Sequence, residues 1–171
     1  MLLDLSKNEL RSLPYELGQC SQLADLYLDD NKINYLPDTI GLLKELTTLK
    51  LDNNKLTRLP VTIGGLTNLT ELVVSRNELV ELPSSIGLLH SLHTLNIDEN
   101  EITYLPPDIG CCSSITVFSM RANRLFYLPE EISRISKLKV LNLSSNLLKV
   151  LPYSISKLRE LQALWLVENQ V

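Results

Sequence analysis

Histidine and cysteine are scarce in this 171-residue chain, two of the first and three of the second, and that removes most catalytic chemistries at once. His90 and His93 stand in no cluster with cysteine or acidic residues at metal-ligand spacing, so no metal site is expected. Serine and aspartate are plentiful, but no histidine is placed to act as their base, and no nucleophile system results. Gly64-Gly65 belongs to neither a phosphate loop nor a dinucleotide fingerprint, so no cofactor is expected. The cysteines, Cys20, Cys111 and Cys112, are odd in number and lack paired flanking clusters, which argues for free thiols rather than a disulfide framework. No apolar run approaches a membrane span, and the opening Met1-Leu2-Leu3-Asp4 turns acidic too early for a secretory leader. A non-catalytic, intracellular protein is the expectation. Asn68-Leu69-Thr70 and Asn142-Leu143-Ser144 fit the glycosylation triplet, and without a leader they read as chance matches.

What the chain does have is a period. Asparagine recurs every 23 residues, at Asn8, Asn31, Asn54, Asn77, Asn100, Asn123, Asn146 and Asn169, with no insertion. With the asparagine numbered as position 9 of a 23-residue unit, Leu46 to Asn68 places apolar residues at positions 1, 4, 6, 11, 14, 18 and 21. Positions 4 and 6, here Leu49 and Leu51, have the two-residue period of a strand with one buried face. Successive units run in the same direction, so their strands pair in parallel and the rest of each unit is a crossover. The asparagine amide offers two donors and an acceptor where the chain leaves the ladder, so eight stacked amides form a structural ladder. Proline at position 15 and glycine at position 19 hold seven of the eight prolines and five of the six glycines. They predict one short helical or 3₁₀ turn, started by the proline's fixed φ and closed by a glycine in the left-handed region. Ser133 and Ser156 replace that glycine, and the turn is expected to close differently there.

The motif L-x-x-L-x-L-x-x-N-x-L at a fixed period is the leucine-rich repeat signature. It implies an α/β solenoid, curved, with a parallel sheet on the concave face and short helical turns on the convex face. One unit cannot bury its apolar side alone, so the copies must stack, and the terminal ones should be the least buried. The chain reads as one domain: a partial repeat over 1–22, full repeats 23–45, 46–68, 69–91, 92–114, 115–137 and 138–160, and a partial repeat 161–171. Neither end has a polar cap, so a fragment of a longer array is expected. The repeat from Ile115 departs most, with Phe118 and Met120 in the inward pair and the small Cys112 nearby in the core.

Outward positions 3, 5, 7 and 8 of successive strands lie side by side and form the concave surface. They carry nine acidic residues, Asp4, Asp25, Asp29, Asp30, Asp52, Glu71, Asp98, Glu99 and Glu168, against Lys7, Lys50, Arg76 and Arg121. That is −5 on this face, while the remaining 12 basic and 11 acidic residues leave the rest of the chain at +1. An acidic concavity disfavours nucleic acid or anionic lipid as the ligand and favours a basic or mixed-charge protein segment. The candidate protein-binding residues are Asp25, Tyr27, Asp29, Lys50, Asp52, Glu71, Val73, Asn96, Asp98, Arg121 and Trp165, with Tyr27, Val73 and Trp165 as apolar anchors at position 5.

The ending Leu161-Gln-Ala-Leu-Trp-Leu-Val-Glu-Asn-Gln170, after the repeat from Leu138, resembles the last repeats of the LAP family, scaffolds that join leucine-rich repeats to PDZ domains. Val167 stands where that family usually has serine. The resemblance implies non-catalytic scaffolding in cell polarity and signalling, in the cytoplasm and peripherally at the plasma membrane, cell junctions or synapses. The family's PDZ domains, which bind carboxyl-terminal tails, are absent from this chain. A Ras-pathway or phosphatase-regulating repeat scaffold, or the substrate-recognition arm of a larger enzyme, remains as an alternative.

Overall fold

The computed structural model describes residues 1–170. Each repeat contributes a three-residue strand: β1 (Leu2–Asp4), β2 (Asp25–Tyr27), β3 (Thr48–Lys50), β4 (Glu71–Val73), β5 (Thr94–Asn96), β6 (Val117–Ser119), β7 (Val140–Asn142) and β8 (Ala163–Trp165). They form a single sheet in sequence order, every neighbour parallel and shifted by one repeat, so that Leu26 faces Leu49 and Leu49 faces Leu72. Between strands lies one five-residue 3₁₀ turn, such as Asp38–Leu42 or Val61–Gly65. The chain is therefore a stack of like coils with the sheet on the concave side and the turns on the convex side.

Backbone pairing runs beyond the strands. Leu51 N donates to Val73 O at 2.8 Å and Asn53 N to Ser75 O at 3.0 Å, so the ladder reaches position 8. The residue there has positive φ in all eight repeats, from Lys7 (56°) to Glu168 (59°), and none is glycine. That left-handed residue ends the strand and turns the following asparagine inward.

The core is the set of apolar positions read from the period. In the central repeat Leu46, Leu49, Leu51, Leu56, Ile63 and Leu66 are fully buried, and Phe118 and Met120 of the divergent repeat are equally buried, as is Cys112 at the end of the repeat before it. Burial falls off in the end repeats, where Leu3, Leu5 and Leu10 on one side and Leu161, Leu164 and Leu166 on the other are only partly covered. Cys20, in the first repeat, is likewise half-buried rather than buried, and Cys111 is exposed.

Two turn assignments differ from expectation. Proline 15 of the unit is not the first helical residue but the residue before it, extended at φ −66° and ψ 146° in Pro37, with its carbonyl accepting from Ile40 N at 2.9 Å. The position-19 glycines do not adopt positive φ. Their role is close approach: a Cβ on Gly87 would lie 2.6 Å from the carbonyl oxygen of Asp108 in the next turn, a distance no side chain tolerates. Ser133 and Ser156 sit in turns of the same five-residue length, each donating Oγ back to the carbonyl three residues earlier (2.9 and 2.8 Å).

Candidate functional site: the concave face

The surface is positioned from beneath by the asparagines. Asn54 Nδ2 donates to Leu28 O (2.9 Å) in the preceding repeat and to Leu51 O (3.1 Å) in its own, while its Oδ1 accepts from Ile33 N (3.0 Å). The same pattern recurs from Asn31 to Asn169, for example Asn123 to Ile97 O at 3.0 Å and Asn169 to Leu143 O at 2.8 Å. Asn8, with no earlier repeat to reach, is exposed and bonds only Leu5 O and Ser6 O. Each amide from Asn31 onward thus satisfies backbone groups of two coils and fixes the register in which their outward side chains align.

Above this floor, Asp25, Tyr27, Asp29, Lys50, Asp52, Glu71, Val73, Asn96, Asp98 and Arg121 lie half-buried on the outward side, and Trp165 is 49% exposed. Lys50 sits with Nζ 5.3 Å from the Tyr27 ring centroid and 3.9 Å from Glu71 Oε1. Arg121 pairs with Glu99. Among the described residues the carboxylates of Asp25, Asp29, Asp52 and Asp98 have no cation partner.

The carboxylates of two of the four are also tied into the sheet. The position-7 N–H points back along the stack with no ladder carbonyl to meet, and a side chain caps it. Asp29 Oδ1 accepts from Asp52 N at 3.2 Å, and Asp98 Oδ1 accepts from Arg121 N at 2.7 Å and from Ser119 Oγ at 2.6 Å. Asn96 and Asn142 cap their own repeats in the same way, through Asp98 N (3.0 Å) and Ser144 N (3.1 Å). Asp52, stacked one repeat from Asp29, has its pKa raised, first by loss of solvation and then by the Asp29 charge. A cationic side chain placed between them would offset the mutual repulsion of the two carboxylates. Around Asp29 the face is hollowed, with Asp4, Ser6, Lys7, Tyr27, Asp30 and Lys50 lining about 600 Å³.

Sequence reasoning missed a second surface. Five of the six tyrosines stand at only two positions, 13 (Tyr35, Tyr104, Tyr127) and 16 (Tyr15, Tyr153), and all five are exposed on the flank between the sheet and the turns. The recurring Tyr-Leu-Pro triplet was the available signal. Elsewhere, His90 and His93 are exposed, with His90 Nδ1 3.2 Å from Cys111 O. Burial, and to a lesser degree the neighbouring Cys111, pushes the Cys112 thiol up to about 12. Among the described residues no helix is long and apolar enough to cross a membrane.

A family model described as leucine rich repeat matches residues 21–79 and 113–171, and a second of the same description matches 91–112. No curated protein sequence matches the chain. Among solved structures, a leucine-rich repeat protein of Leptospira interrogans, LIC12759, is 38% identical with a TM-score of 0.91, over 95% of this chain and 41% of that one. The plant peptide hormone receptor RGFR1, solved in complex with RGF2, is 30% identical with a TM-score of 0.79, over 98% of this chain and 32% of its own. TLR13, solved in a complex with ssRNA13, is 28% identical with a TM-score of 0.82, over 98% of this chain and 25% of its own. The chain thus spans well under half of each of these proteins.

Proposed function

Because this chain belongs to the leucine-rich repeat family, whose domains generally act as protein–protein interaction modules, we propose that its concave sheet face docks a basic or mixed-charge protein segment. One observation carries the reading: Asp29, Asp52 and Asp98, aligned at position 7 with Ser75 between the last two, and Asp25 on the strand before Asp29 have no cation partner among the described residues, while Lys50 and Arg121 on the same face are already paired. Phosphate backbones would meet repulsion there, which sets this face apart from an RNA-binding one. Tyr27, Val73 and Trp165 supply apolar contact beside the charges.

The role we assign is that of a non-catalytic scaffold module of the LAP type, acting in polarity and signalling at the cytoplasmic face of junctions, synapses or the basolateral membrane. Support for the finer assignment is the Leu-Trp-Leu-x-Glu-Asn-Gln ending at 164–170 and the 23-residue unit that the whole chain keeps. Association with the cortex would then be peripheral and through protein. To test it, Asp29, Asp52 and Asp98 are changed together to Asn, which keeps the backbone caps but removes the charge, and the tagged chain is imaged in polarised epithelial cells. Loss of cortical enrichment with a melting temperature no lower than the parent's supports the assignment. Undiminished enrichment contradicts it.

A further inference from the structure

The flank of the first three repeats carries a feature unrelated to the concave face. Between repeats, Tyr15, Tyr35, Pro37, Asp38, Arg58, Pro60 and Val61 surround a cavity of about 480 Å³, floored by Leu36 and Leu59. A second cavity of about 330 Å³ shares Arg58, Leu59 and Val61 and continues the groove to Glu81 and Pro83. The groove is floored by the Leu-Pro step of successive repeats and walled by positions 13 and 16. Its walls are apolar yet open to solvent: Tyr15 is 64% exposed and Val61 73%. Such volumes lie in the range of about 300–1,000 Å³ that holds ligands.

The charge along one edge of this groove is opposite to that of the sheet face. Beside the groove, on the strand-proximal edge of the same flank, Arg11, Lys32, Asn34 and Lys55 line a third hollow of about 230 Å³. Backbone bonds such as Lys55 N to Ile33 O (2.8 Å) hold these residues in register, and Asn34 adjoins Tyr35 in the chain. Lys32 is paired with Glu9, but Arg11, Lys55 and Arg58 have no ion-pair partner among the described residues. The groove itself holds Arg58 against Asp38 and Glu81, and the neighbouring hollow adds Arg11, Lys55 and the Lys32–Glu9 pair, so the cations of this flank outnumber its carboxylates by one. A chain with an overall charge of −4 thus presents three unpaired cations, Arg11, Lys55 and Arg58, along one edge of an aromatic-lined groove.

We propose that this flank is a second docking site, for an acidic peptide segment that places one large apolar side chain between Tyr15 and Tyr35 while its carboxylates meet Arg58, Lys55 and Arg11. Apolar filling sets the position, and the arginines, with their forked donors, set the preference for carboxylate. The two faces would then select oppositely charged segments and could be occupied together.

The test uses a fluorescein-labelled peptide with a single Phe embedded in Asp and Glu, read by polarisation against the whole chain. Two further peptides replace the Phe by Ser or every acid by Lys. Saturable binding of the first alone, weakened at least about tenfold by Arg58→Glu with Lys55→Glu and by Tyr35→Ser, is the expected result. All three residues are exposed, so the variants keep the fold, and circular dichroism melts verify this. Unchanged affinity in both variants, no saturation, or loss of binding on changing Asp29, Asp52 and Asp98 to Asn overturns the proposal. So does a wild-type dimer on gel filtration that Arg58→Glu dissolves, since the occupant would then be a second copy of the chain.

Discussion

Asp98 Oδ1 lies 2.7 Å from the backbone nitrogen of Arg121, one repeat along the stack. A carboxylate on the concave face is thus also the cap of a backbone N–H that the parallel ladder leaves unpaired, so its charge and its acceptor can be separated. Asp98→Asn should keep the cap and leave stability nearly unchanged, whereas Asp98→Ala should cost about 1.5–3 kcal/mol, as for hydrogen bonds to charged groups. Urea midpoints of the two variants, compared at constant slope, separate the roles.

The asparagine ladder predicts a gradient along the chain. Asn77 is buried and bridges two repeats, donating to Leu51 O (2.9 Å) and accepting from Leu56 N (2.9 Å). Asn77→Ala strands these groups in the core and should cost about 1–3 kcal/mol for each one left unsatisfied. Asn8, exposed and bonded only within its own repeat, should tolerate the same change with little loss. Equal effects at both positions, measured by chemical denaturation, would remove the bridging role.

Gly87 is held to its identity by the next turn rather than by its own dihedral angles. Gly87→Ala would push a methyl against Asp108 O and should cost about 1–3 kcal/mol, the usual range for overpacking. A stabilisation, as expected if only chain entropy mattered, would contradict the close-approach account.

Asp52 provides a pH signature. Its folded-state pKa is raised above the ordinary 3.8, by burial first and Asp29 second, so the native state holds this proton more tightly than the unfolded chain. The associated stability is therefore present below 3.8 and lost as pH rises through the folded value. Asp52→Asn should then be more stable than the parent at neutral pH, with the difference vanishing in acid. Paired urea titrations at the two pH values check this, because the other carboxylates cancel in the comparison.

The strands, their register and the buried set were legible because the period of 23 repeats without a slip, and a leucine at each inward position has one place to go. The uses of Pro37 and Gly87 were not, since both depend on a neighbouring coil that a single unit does not display. Asp29 and Asp98 read as free acids for the same reason: the N–H groups they cap belong to Asp52 and Arg121, 23 residues further on. Tyr35 and Tyr15 occupy different positions in the unit, and only the coiled geometry brings them to one cavity.

The account turns on whether the acidic strip binds cationic chain. Titration calorimetry of an extended Lys- and Arg-containing peptide, against the parent and against the chain with Asp29, Asp52 and Asp98 changed to Asn, measures this directly. The structure predicts binding that weakens at least about tenfold in the variant and more steeply with salt in the parent. Equal affinity and equal salt dependence for the two proteins would contradict it.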